Sequence, residues 1–207
     1  LADTVSDAMD AYVALLETVD SPHRIVVAGD SAGGYLTFKV AELARRRGLQ
    51  APPALIGFSP LLSLDPDNQR KAVEHAVEIN DAYLPAGAEI EGFADPFNAT
   101  AYLSVPTFLI AGEDEMLRPE TEAFAMRLAA KDVPVELHIW REQVHAFPLL
   151  VNFIPEARQA VTDAVAFVER QHHPHRHAHH RTEHAEHDVP TDDIAPTGSQ
   201  PGDEDGG

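Results

Sequence analysis

Apolar residues recur at three- and four-residue spacing from Asp3 to Asp20, where Val5, Met9, Tyr12, Leu15, Leu16 and Val19 share one stripe before Ser21-Pro22 interrupts it. That period predicts an amphipathic helix. A β-rich run follows from Arg24 to Ala28, and then a second helical pattern from Ala32 to Arg47, with Arg45, Arg46 and Arg47 in its last turn and Gly48 after it. Basic residues near the terminal carbonyls and a glycine beyond them are what a helix C-terminus favours. The alternation repeats. Short apolar runs at Ala54–Phe58, Thr107–Ala111 and Val135–Trp140 are predicted strands, and helices are predicted near Pro119–Ala130 and Glu156–Arg170. Strands bounded by helical crossovers imply an α/β fold with a mostly parallel sheet covered on both faces.

Two stretches break this rhythm. Ser59 to Val105 is irregular and proline-containing, with a predicted helix from Asn68 to Asn80, and reads as a lid insertion over one end of the sheet. From His172 the composition changes. Eight of the twelve histidines fall between His172 and His187, and the remainder to Gly207 is built from Pro, Asp, Glu, Gly, Ser and Thr with hardly any large apolar residue. Such a segment cannot bury enough surface to offset its ordering entropy. The expected organisation is therefore one domain over residues 1–171, lid near 59–105, and a disordered, acidic, His-rich tail over 172–207.

Composition narrows the functional classes. A formal net charge of -19 opposes binding to phosphate backbones or anionic membrane surfaces, so nucleic acid is not an expected partner. The sequence has no cysteine, which removes disulfides, thiol catalysis and Cys-ligated zinc together. No run of about 20 apolar residues is present to insert into a membrane, and a cytoplasmic location is the expectation. Tail spacings such as His175-x-His177-x-His179-His180 can hold a divalent metal loosely, but a flexible solubilising segment is the preferred reading. No metal and no cofactor are assigned.

The chemistry concentrates at Gly29-Asp30-Ser31-Ala32-Gly33-Gly34, directly behind the first apolar run and directly ahead of a helix. This arrangement reads as a nucleophile elbow, a tight strand-to-helix turn that exposes a serine to a histidine and to backbone N–H groups able to hold an oxyanion. Gly29 and Gly33, two residues to either side of Ser31, are expected where a Cβ would collide. In a parallel sheet reactive side chains gather beyond the carboxyl ends of the strands. His23 precedes the first strand, His75 lies on the lid and His138 sits mid-strand; among histidines outside the tail, only His145 falls at the rim of Ser31. Its apolar flanks Val144, Ala146 and Phe147 imply a partly buried ring. The acid that orients such a histidine is expected in Gly112-Glu113-Asp114-Glu115, after the third strand. Asp114 is the preferred candidate, although spacing does not separate the three carboxylates. The order Ser31, Asp114, His145 is the serine, acid, histidine order of α/β-hydrolases.

These motifs, with Phe58-Ser59-Pro60, Ala94-Asp95-Pro96, Val105-Pro106-Thr107, Met116-Leu117 and Val144-His145-Ala146-Phe147, resemble those of the bacterial hormone-sensitive-lipase-like esterases from about Leu1 to Gln171. The resemblance implies an α/β-hydrolase fold and a serine esterase acting on small or short-acyl esters without a cofactor. Ser31 would be the nucleophile, His145 base then acid, Asp114 the orienting acid and Ala32 N–H an oxyanion donor. A serine peptidase or amidase on the same fold is the alternative enzyme. Members of that family carry further strands and a His-Gly-Gly-Gly-type oxyanion loop ahead of the helix with which this sequence opens. The sequence is therefore expected to be part of a longer esterase, weak or silent by itself. The edge of its first strand would be left unpaired, which is compatible with association into a homo-oligomer.

Overall fold

Four parallel strands in the order β1-β2-β3-β4 form the sheet: β1 Val27–Asp30, β2 Leu55–Phe58, β3 Thr107–Gly112 and β4 Val135–Trp140. The computed structural model describes residues 1–64 and 89–172. The predicted lid helix at 68–80 and the His-rich tail lie outside the described residues. The helices are α1 Ala2–Thr18, α2 Ala32–Arg46, α3 Arg118–Ala129 and α4 Pro155–His172. The four helices predicted outside the lid are therefore present, and the sheet is parallel as the alternation implies.

The largest departure from the expected strand bounds is in β1. β1 begins at Val27 and runs through Gly29 and Asp30, whereas Pro22–Arg24 forms a short 3-10 turn. The reason lies in its partner. β2 starts only at Leu55, after Pro52 and Pro53, and the ladder opens with Val27 opposite Leu55 and closes with Asp30 opposite Phe58. Among the described residues β1 has β2 as its sole neighbour, so Ile25 and Val26 make no ladder.

Strand residues point alternately to opposite faces, and this alternation builds two apolar layers. On one face Leu55 and Leu109 pack with Phe38 of α2 and Phe124 of α3, whose rings meet edge-on at 4.9 Å; α1 extends this layer through Val5, Met9 and Tyr12. On the other face Ile56, Phe108 and Ile110 pack with Ala157, Ala160, Ala164 and Phe167 of α4. The small alanines let that helix lie close to the sheet. His138 takes a structural place here, edge-on to Phe108 at 4.8 Å and 3.6 Å from Asp163.

Helix α2 also buries charge. Lys39 Nζ donates to Glu42 Oε2 at 2.6 Å and to the carbonyls of Glu91 and Phe93 at 2.8 and 2.6 Å. The other Glu42 oxygen accepts from Arg46 Nε and from the Phe93 N–H. Burial lowers the Lys39 pKa, and Glu42 opposes that shift. A buried pair is tolerable only when its remaining donors and acceptors are satisfied, and here the partners are backbone groups of 91–93. Asp95 adds a second tie, accepting from Leu64 N–H and Ser63 Oγ. The two described flanks of the insertion are thus fastened to the domain and to each other. Among the described residues no helix is long and apolar enough to cross a membrane.

Candidate active site

β1 ends at Asp30, and the chain turns at Ser31 into α2 with φ 49° and ψ −115°, outside the common backbone regions for an L-residue. Such a conformation persists only where surrounding contacts hold it. They are identifiable: Ser31 N–H donates to Phe58 O at 3.0 Å, and Ser31 O accepts from Leu61 N–H at 2.9 Å. The glycine requirement is only half as expected. A Cβ on Gly29 would overlap the Gly33 carbonyl group, and one on Gly34 would stand 2.7 Å from Pro60 Cα, whereas one on Gly33 would meet only Asp30 Oδ1, at 3.9 Å. Gly29 and Gly34, not Gly33, are the sterically demanded pair. The helix brings its second glycine, rather than its first, against the segment after β2.

His145 arrives from the loop after β4. Its Nε2 lies 3.0 Å from Ser31 Oγ across 114 residues of sequence. Its Nδ1 lies 3.1 Å from Glu115 Oε2. A carboxylate can only accept, so the proton sits on Nδ1 and Nε2 is left as the acceptor for the Ser31 hydroxyl. The ring is 40 % exposed. The partly buried ring expected from its neighbours is thus more open than the sequence implies, because Val144 faces outward and only Phe147 turns fully inward, against Trp140.

The carboxylate at His145 is not that of Asp114. Three consecutive acids take three different positions. Glu113 Oε2 accepts from the Glu142 N–H, the Asp114 side chain is exposed while its N–H donates to Gln143 O at 3.1 Å, and the Glu115 side chain is fully buried beneath the histidine. The loop is fixed by close backbone approach to the histidine loop: Glu113 N–H also donates to Trp140 O at 2.8 Å, and a Cβ on Gly112 would run into the Gln143 carbonyl. With the main chain held there, the residue aimed inward is the third acid. Glu115 Oε1 has no protein partner among the described residues.

Ala32 is the first residue of α2, so its N–H is among the four at the helix start that lack an intrahelical acceptor. Asp30 closes β1 opposite Phe58. A serine at a strained strand-to-helix turn, a histidine bridging it to a buried carboxylate and a parallel sheet beneath them define the architecture.

The sequence matches the alpha/beta hydrolase fold family over residues 2–149. This chain belongs to the α/β-hydrolase family. It is 31% identical over 172 residues to the esterase LipU of Mycobacterium tuberculosis, covering 74% of this chain and 57% of that protein. It is 29% identical over 174 residues to an acetyl-hydrolase of Streptomyces hygroscopicus, covering 79% and 58%. A crystal structure of an esterase from the bacterial hormone-sensitive lipase family superposes with a TM-score of 0.72 at 26% identity, covering 81% of this chain and 60% of that one. The resemblance to that branch thus holds in the fold. This α/β-hydrolase chain spans less than two thirds of the length of each of these relatives.

Proposed function

We propose that the protein is a carboxylic-ester hydrolase in which Ser31 is the nucleophile, His145 the general base and acid, and Glu115 the orienting carboxylate. The observation that carries this reading is His145 bridging Ser31 Oγ and a buried carboxylate. Ser31 Oγ attacks the ester carbonyl while His145 Nε2 takes its proton, and the Glu115 carboxylate stabilises the imidazolium that forms. The oxyanion accepts from Ala32 N–H, a donor that is in place before charge develops. Collapse of the tetrahedral intermediate expels the alcohol, protonated by His145, and leaves an acyl-Ser31 ester. Water, activated by the same imidazole, then releases the acid. The acetyl-hydrolase among its relatives supports a small acyl group.

Hydrolysis of a short-chain nitrophenyl ester and covalent labelling by an organophosphonate test the proposal. Both are expected in the intact protein and are expected to be lost in Ser31→Ala, with labelling also lost in His145→Ala. Turnover that survives in Ser31→Ala would refute it.

A further inference from the structure

The residue that joins the separate pieces of this site lies outside the three just assigned. Ser59, the first residue after β2, is fully buried and has φ 47°. Ser59 and its neighbour Phe58 together bond Ser31, the His145 loop and the strand that leads to Glu115. The Ser59 N–H donates to Ile110 O at 2.7 Å, in that strand. Its Oγ accepts from the N–H of Ala146 at 3.0 Å, the residue directly after His145. The carbonyl of the preceding residue, Phe58, accepts from Ser31 N–H at 3.0 Å. Ala146 has φ 53° and Ser31 φ 49°, so three of the five non-glycine residues with positive φ among those described meet through this one turn. Left-handed backbone at an alanine and two serines is held by surroundings rather than chosen by the residues.

We propose that Ser59 is a positioning residue that sets where His145 stands relative to Ser31, an inference that rests on the esterase reading above. The strand ladders bring β1, β2 and β3 into register, but they end before the loops begin. His145 lies five residues beyond the end of β4, too far for the ladder to fix its ring. The Ser59 hydroxyl supplies the missing link from β2 to that loop, acting on the backbone next to the imidazole rather than on substrate. Its burial keeps water from replacing it.

Ser59→Ala and Ser59→Gly both delete the acceptor, but glycine accepts a positive φ without strain and protects folding. With a short-chain nitrophenyl ester, kcat is expected to fall roughly 10- to 100-fold in both variants, the cost of displacing a reacting group by an ångström or less. KM should stay unchanged, because the substrate contacts are untouched. The Ala146 amide should exchange faster with solvent in both, and Ser59→Gly should melt no lower than Ser59→Ala. A folded Ser59→Gly with wild-type kcat, a change confined to KM, or undiminished protection of the Ala146 amide would each overturn the inference. Failure of the esterase reading looks different: the wild-type protein would itself be inert to ester and organophosphonate, which would remove the positioning role with it.

Discussion

Exchanging Glu115→Gln and Asp114→Asn one at a time separates two adjacent acids that the sequence leaves equivalent. In the structure Glu115 Oε2 is 3.1 Å from His145 Nδ1, and its side chain is fully buried. A unit charge pair at that separation, in an effective dielectric of about 20, is worth roughly 5 kcal/mol to the imidazolium formed in the transition state. At about 1.36 kcal/mol per decade this corresponds to a fall in kcat of roughly three to four decades, the size seen when a triad acid is neutralised in serine proteases. Asp114 is exposed and does not bond His145, so its charge is screened by water and worth no more than about 1 kcal/mol, under about sixfold in rate. Steady-state hydrolysis of a short-chain nitrophenyl ester by the intact protein and its two variants reads the difference, with unfolding midpoints confirming that each variant folds. If Asp114→Asn proved as inactive as Glu115→Gln, or Glu115→Gln retained near wild-type kcat, the geometric assignment of the acid would be wrong.

The elbow offers a stability test of the same kind. Gly34→Ala drives a Cβ toward the Pro60 backbone and is expected to cost about 1–3 kcal/mol, whereas Gly33→Ala meets nothing nearer than Asp30 Oδ1 at 3.9 Å and should be neutral or gain up to about 1 kcal/mol of helix propensity; urea midpoints in the reverse order would refute the steric account. Alkaline pH probes the α1 contact. Burial pushes the Tyr12 hydroxyl, which donates to Gln50 O at 2.7 Å, up to about 12 from 10.0. Because the folded-state value is raised, the stabilisation is complete below pH 10 and is lost as pH rises from 10 to 12. Tyr12→Phe should flatten that part of the stability curve, and an unchanged slope would show that the phenol does not ionise differently on folding.

What the sequence determined by itself is everything that depends on near neighbours along the chain. Periodicity over Asp3–Asp20 specifies α1, and short apolar runs between helical stretches specify a parallel sheet, because only elements of that length and spacing can cross back in the same direction. The elbow is likewise local: a glycine, a serine and a helix start within six residues. His145 could be selected by topology alone, since strand direction decides which loops share a rim. The tertiary structure decided the rest where the choice lay between residues one position apart. Glu113, Asp114 and Glu115 are chemically alike, and which one faces His145 depends on how Gly112 and the Gln143 carbonyl pass each other. Gly33 and Gly34 look interchangeable until Pro60 is placed against one of them. Ser59 carries no mark of its contact with Ala146, 87 residues away. A strand or helix arises from interactions repeated every few residues and so leaves a pattern in the chain; a single long-range hydrogen bond has no period, and only the folded backbone shows where it lands.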